Sequence, residues 1–239
     1  MLDDDAIERI LVVTAHPDDV DFGAAGTVAT WTKAGHAVTY CVVTNGDAGG
    51  FDPAVPRSEI AAIRQAEQRA AAAEVGVTDV RFLGHPDGRV VVSLDLRRDI
   101  SRVIRQVRPQ RLLTQSPQRN YERIYASHPD HLATGEATLC AVYPDARNPY
   151  AHPELLDEGL DAWTVAETWL MAAPGAAHVV DVTDLYDTKL AALRQHVSQL
   201  PGVPGELDTL LRGWLGMNAK AAGLPEGRLA EAFQVLDTA

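Results

Sequence analysis

Short apolar, β-branched runs alternate with longer amphipathic ones along the first half of the chain. RILVVTAH (9–16) reads as a buried strand, and DFGAAGTVATWTKAGH (21–36) as a helix that Gly35 closes. AVTYCVVTNGDAGG (37–50) is a second strand that runs into a glycine-rich loop. SEIAAIRQAEQRAAAAEVGV (58–77) is a helix opened by Ser58 and ended by Gly76. DVRFLG (79–84), LDLRRDISRVIRQVRP (94–109) and RLLTQS (111–116) give strand, helix and strand again. Beyond residue 144 the pattern loosens. It predicts a proline-rich loop region over 143–159, a strand within 162–172, helices over 184–199 and 205–223, and a tail that packs back through Phe233 and Val235.

Strands alternating with helices imply right-handed βαβ units and a parallel sheet with helices on both faces. The polar clusters 16–19, 44–50 and 84–88 all follow strands. Open α/β sheets bind ligands beyond the carboxyl ends of their strands, so these loops converge on one edge. The segment after RLLTQS, which contains SHPDH, joins them there. No linker or internal repeat divides the 239 residues.

Composition narrows the partners. The formal net charge of −12, without a lysine or arginine run, disfavours nucleic acid and anionic membrane. No stretch approaches the ~18 apolar residues of a membrane span, and the acidic start MLDDDAIERI is unlike a signal peptide. A cytoplasmic location is expected. Cys41 and Cys140 lie in apolar stretches and read as small core residues.

The chemistry lies in two segments. AHPDD (15–19) puts His16 and Asp19 at i and i+3, where a tight turn favoured by Pro17 can bring both to one ion. SHPDH (127–131) adds His128, Asp130 and His131. Either segment alone also fits a capped turn before a helix, with Asp18 or Asp19 as N-cap. Both on one sheet edge favour a metal. Two histidines and a carboxylate, with water completing the shell, suit Zn²⁺, and Fe²⁺ or another divalent ion could take the same set. The spare carboxylate can then accept a proton from water, and the spare histidine can stabilise or protonate what develops opposite. A third copy, HPDG (85–88), lacks a second ligand and looks less like a metal segment.

AHPDD, VTNGDAGG, the R-x-x-E of Arg64 and Glu67, HPDHLATG, AVYPDARNP, AETWL and the K-x-x-A-L-x-x-H-x-S-Q of 189–199 resemble the PIG-L/LmbE-like de-N-acetylase family. The resemblance covers most of the chain. It implies one domain over 1–239, with a Rossmann-like core about 8–145 and an extension over 146–239. It further implies a divalent metal, usually zinc, and hydrolysis of the acetamide of an N-acetylglucosaminyl or similar amino-sugar conjugate. By position, His16, Asp19 and His131 would hold the metal and Asp18 would be the general base. His128 would face the oxyanion or protonate the leaving amine, with Asp130 orienting its ring. Arg64 and Asp87 would bind sugar hydroxyls, and Asp47 would help shape the pocket. The resemblance also points to homo-oligomers, a trimer or hexamer. One departure stands out: relatives carry a tyrosine where this chain has Ala126, with Tyr125 beside it.

Other readings stay open. A metal-dependent hydratase or lyase acting on an unsaturated carboxylic acid would need cations, and Arg57, Arg119, Arg123 and Arg147 lie near the site loops. A non-sugar amide is a further option. Arg64 could equally pair with Glu67 on its own helix, and Asp87 before Gly88 could be a turn residue. His196 reads as a packed or capping residue, and Trp163, Trp169 and Trp214 read as core. The TNGDAGG loop lacks the Walker lysine of a phosphate cradle.

Overall fold

The computed structural model describes residues 1–200 and 205–239, without the side chain of Ala126. Five parallel strands form most of its sheet: β1 (Arg9–Thr14), β2 (Ala37–Thr44), β3 (Asp79–His85), β4 (Arg111–Gln115) and β5 (Glu167–Met171). Two more, β6 (His178–Asp181) and β7 (Ala230–Asp237), complete the order β3-β2-β1-β4-β5-β7-β6. The order reverses at β1, so the crevice beyond the carboxyl ends of β1 and β4 is the switch point of the fold.

Alternation along β1 feeds two cores. Ile10 and Val12 face a cluster with α1 (Asp19–Lys33), α2 (Arg57–Glu74) and Ala192 of α6 (Tyr186–Arg194). Leu11 and Val13 face α3 (Leu94–Val107) and α4 (Pro129–Cys140) on the other side. A strand buried on both faces reads as an unbroken apolar run, as RILVVT does. A shorter helix, α5 (Pro153–Asp157), sits in the proline-rich region, and α7 (Glu206–Ala221) packs on α6 through Leu211 and Leu215.

The first four strands and first three helices fall where the pattern puts them. Ser93 accepts the Leu96 amide to cap α3, and Gly76 leaves α2 at φ +81°. Three differences have physical causes. The helix over 184–199 is regular only as α6, flanked by 3-10 turns. The tail packs back through Phe233 and Val235, but as a strand: β7 runs antiparallel between β5 and β6, pairing Met171 with Phe233 and His178 with Phe233. Its pattern is masked by Glu231, a carboxylate 1% exposed at the second position of the strand. Third, α4 continues directly from HPDH as a full helix; its Gly135 lies so close to β4 that a Cβ would sit 2.2 Å from the Gln115 carbonyl oxygen. Among the described residues no helix is long and apolar enough to cross a membrane.

Candidate active site

β1 ends under the site, and the chain turns into α1 through His16, Pro17 and Asp18. Asp18 sits at the N-cap but at φ 86°, in the left-handed region, and its side chain makes no capping bond. An ordinary N-cap aspartate has extended backbone and holds a first-turn amide. Asp19, the first residue of the helix, reaches back instead: its Oδ2 accepts the His16 amide at 2.7 Å and holds the turn that precedes α1. The Asp18 carboxylate is left free of the cap and meets Arg64 Nη2 at 3.2 Å.

The second segment opens α4. His128 is its N-cap and Pro129 its first residue, a position that suits proline because the missing N–H has no intrahelical partner. His128 Nδ1 accepts the Asp130 amide at 3.1 Å. One turn on, His131 points back at α1.

Three donors meet between the segments. His16 Nδ1 and His131 Nε2 are 3.2 Å apart, and Asp19 lies 3.5 Å from the first and 3.0 Å from the second. A tetrahedral zinc with bonds of about 2.0–2.1 Å spaces its ligand atoms about 3.3–3.4 Å apart. The donor types and spacings therefore fit a divalent ion. Two wider groupings also have ligand atoms close enough for one cation: His16 with His128 and His131, and His16 with Asp87 and Asp130.

Four carboxylates make the site strongly cation-seeking. Burial pulls the His16 pKa down, but hydrogen bonds to Asp130, Asp19 and Asp87 outweigh it and push it up to about 12. Burial also opposes ionisation of Asp19, yet the charges and hydrogen bonds of His131 and His16 hold it well below the usual carboxylate range. Asp18 goes the other way: burial, then the charge of Asp19, raises it to about 6 despite Arg64. Two adjacent aspartates are thus split into an ionised one and one poised to exchange a proton near neutrality. His128 is pulled below its ordinary value by burial and by the neighbouring His16 and His131.

Three residues carried over from the resemblance are placed differently. Asp130 does not turn its carboxylate to His128. It meets His16 Nε2 at 3.2 Å and accepts the Gly88 and Val90 amides, and its contact with His128 is through its own backbone N–H. Asp87 also lies against His16 Nε2, at 3.1 Å, and accepts the Ala48 amide, so it is packed beneath the site rather than open to a sugar. Arg64 is 4% exposed. Its Nη atoms donate to Gly46 O, Pro17 O and Asp18, and Nη1 lies 3.7 Å from Asp87, so the guanidinium is engaged within the protein. The glycine loop closes around it: a Cβ at Gly49 would fall 2.1 Å from Nη1. Asp47 is more exposed, bonding Arg57 and the Asp87 amide. The departure at Ala126 lies outside the described side chains; Tyr125 is 91% exposed at the rim of a cavity.

That cavity, of about 380 Å³, begins at Asp19 and His131 and runs between α1 and α7, past Phe22, Met171, Leu210 and Trp214. Trp214, which the apolar pattern reads as core, is one of its walls, with the Arg123 guanidinium 4.9 Å from its ring centroid.

The family model described as PIG-L, GlcNAc-PI de-N-acetylase, matches residues 11–142, from within β1 through α4. The chain belongs to the PIG-L family. It is 30% identical over 195 residues to the diacetylchitobiose deacetylase of Thermococcus kodakarensis, covering 82% of this chain and 71% of that one. It is 32% identical over 198 residues to a probable N-acetyl-alpha-D-glucosaminyl L-malate deacetylase 2 of Bacillus cereus, covering 80% and 83%. The solved structure of N,N'-diacetylchitobiose deacetylase from Pyrococcus horikoshii superposes with a TM-score of 0.90 at 28% identity, over 98% of this chain and 85% of that one.

Sequence reasoning missed some of what surrounds the donors in this PIG-L protein. Gln68 accepts the Asp18 amide at 2.8 Å, and Lys189 reaches the Asp21 and Phe22 carbonyls at 2.7 and 2.6 Å. A signal for Lys189 was present in the 189–199 stretch, which resembles the family although it lies beyond the matched residues 11–142. For Gln68 there was none, since a glutamine in an alanine-rich helix reads as surface.

Proposed function

We propose that this PIG-L family protein is a zinc-dependent hydrolase that removes the acetyl group from an N-acetylglucosaminyl or similar amino-sugar conjugate. The observation that carries the reading is the convergence of His16 Nδ1, His131 Nε2 and the Asp19 carboxylate, with the raised carboxyl of Asp18 next in the chain. The names of the relatives support the amino-sugar substrate. Of the three donor groupings, the one on the Nδ1 side is favoured. Asp87 and Asp130 already accept backbone amides and lie on the far nitrogen of His16, where a carboxylate takes the second N–H of a liganding imidazole and fixes its tautomer.

Bound zinc lowers the pKa of water toward about 7 and polarises a carbonyl. Asp18 takes the proton from the attacking water. Burial and the charge of Asp19 raise its carboxyl, which strengthens it as a base. His128 is held in one tautomer: Nδ1 accepts the Asp130 amide, so in the neutral ring Nε2 carries the hydrogen. With its pKa lowered, His128 offers that N–H as a neutral donor to the developing oxyanion, which favours the oxyanion role over that of an acid. The cavity beside Asp19 and His131 receives the rest of the conjugate, with Trp214 as a wall for a ring.

The hydratase reading loses support from its arginines. Arg57 pairs with Asp47, Arg119 reaches the Ser127 carbonyl and Arg147 the Thr238 carbonyl, which leaves Arg123 at the cavity. Acetate release from a panel of N-acetylglucosaminyl conjugates, by zinc-loaded protein with and without chelator, tests the proposal. Chelator-sensitive release is expected; none from any conjugate, in protein holding one metal per chain, overturns it.

A further inference from the structure

The 189–199 motif contains no metal ligand and lines no wall of the cavity, yet it reaches the turn that carries Asp18. His196 Nε2 lies 2.8 Å from Asp21 Oδ2. The same oxygen accepts from Gln68 Nε2 at 2.9 Å, and Gln68 Oε1 accepts the Asp18 amide at 2.8 Å. His196, Asp21 and Gln68 are each 0% exposed. With the His196 hydrogen on Nε2, His196 N–H and Gln68 NH₂ both donate to the one carboxylate oxygen and Asp18 N–H donates to the Gln68 carbonyl, while His196 Nδ1 and Asp21 Oδ1 have no hydrogen-bond partner. Ser198 ties the motif to α2 through both oxygens of Glu67, and Gln199 Nε2 reaches the Gly49 carbonyl at 3.4 Å.

A buried ion pair grips the same helix one turn further on. Lys189 Nζ holds the Asp21 and Phe22 carbonyls and Glu231 at 2.8 Å, while Glu231 accepts the Gly26 and Thr27 amides. Phe22 C=O and Gly26 N–H, partners in a regular helix, each meet one end of the pair.

We infer that His196 and Gln68 are positioning residues, which act through Asp21 and the Asp18 amide to hold Asp18 in its left-handed conformation. A non-glycine residue there is strained, and an aspartate at an N-cap has a cheaper alternative: extended backbone with its carboxylate on a first-turn amide. The alternative would withdraw the carboxylate from the metal donors and from Arg64. The Gln68 bond to the Asp18 amide opposes that relaxation, and Asp21 and His196 hold Gln68 in place.

That this matters for turnover rests on the base role of Asp18 proposed above; the positioning itself is measured without substrate. Hydrogen exchange of the Asp18 amide, resolved by ¹H–¹⁵N NMR on the zinc-loaded protein, is compared in wild type, Gln68→Met, His196→Leu and His196→Gln. Acetate release at saturating substrate is measured alongside. Protection of the Asp18 amide is expected to fall at least about tenfold in Gln68→Met and His196→Leu while the rest of α1 is unchanged. kcat is expected to fall about 10- to 100-fold, as for small misplacements of a reacting group, with KM and metal content held. His196→Gln, whose amide can still donate to Asp21, is expected to restore both. Unchanged Asp18 protection in His196→Leu, or a loss spread evenly over α1, overturns the inference. If His196→Leu does not fold, Gln68→Met tests the first link and His196→Gln the second. A wild type that releases no acetate defeats the proposed activity, whereas the exchange data still decide the positioning.

Discussion

The chain uses the letters His-Pro-Asp at 16–18 and again at 128–130, and the two copies do opposite work. In the first, the histidine is buried and aims Nδ1 at the donors, and the third residue sits at φ 86° with its carboxylate free of the cap. In the second, the histidine is the N-cap and its Nδ1 is occupied by a backbone amide, while the third residue sends its carboxylate across to His16. The fourth residue, Asp19 or His131, joins the donors in both. Backbone conformation at the turn, more than residue type, decides which side chain joins the donor cluster and which supports it.

The sharpest way to break that division is to exchange the fates of neighbours. His131→Ala and Asp19→Asn are expected to lose the metal and all activity, read as metal per chain after dialysis. Asp18→Asn should keep the metal and lose about 10²- to 10⁴-fold in kcat. Equal metal loss in Asp18→Asn and His131→Ala would make Asp18 a ligand and not a base. Next in size, His128→Ala is expected to lower kcat about 10²- to 10³-fold, as for one oxyanion donor, with metal retained. Metal loss there would favour the three-histidine grouping. Asp130→Asn sharpens the comparison further: support for His16 predicts a metal affinity about 10- to 100-fold weaker. A fall in kcat alone, with affinity intact, would return Asp130 to orienting His128. The smallest effect is on stability. Asp18→Gly relieves the left-handed strain but leaves the buried Arg64 guanidinium without that carboxylate and adds unfolded-chain entropy, so the inactive protein should melt no higher than wild type in thermal unfolding.

Much of this was legible before any coordinates. The strands buried on both faces announce themselves as apolar runs, and loops after parallel strands share an edge, so His16, Asp19 and His131 could be brought together on paper. What could not be read was convergence from a distance. Asp87 stands in the HPDG copy that looks least like a metal segment, yet its carboxylate supports His16. Arg64 invites a role at the surface, but the glycine loop buries it against Asp18. β7 was hidden because Glu231 breaks its apolar pattern, and its partners, Lys189 42 residues away and the Gly26 and Thr27 amides of α1, explain how a carboxylate is tolerated there. Such pairings depend on tertiary packing, which local periodicity does not encode.

The grip of Lys189 and Glu231 on α1 bears on how the catalytic apparatus could be moved between proteins. The span 11–142 that matches the family model contains each proposed metal donor, the proposed base and the proposed oxyanion group. Grafted alone onto another Rossmann-like scaffold, it would bring the complete inventory of reacting groups without the clamps from 189, 196 and 231. Such a graft would be a metal-binding protein before it was an enzyme. A designer seeking turnover would have to transplant two distant fragments together, or invent a new restraint for the first turn of α1.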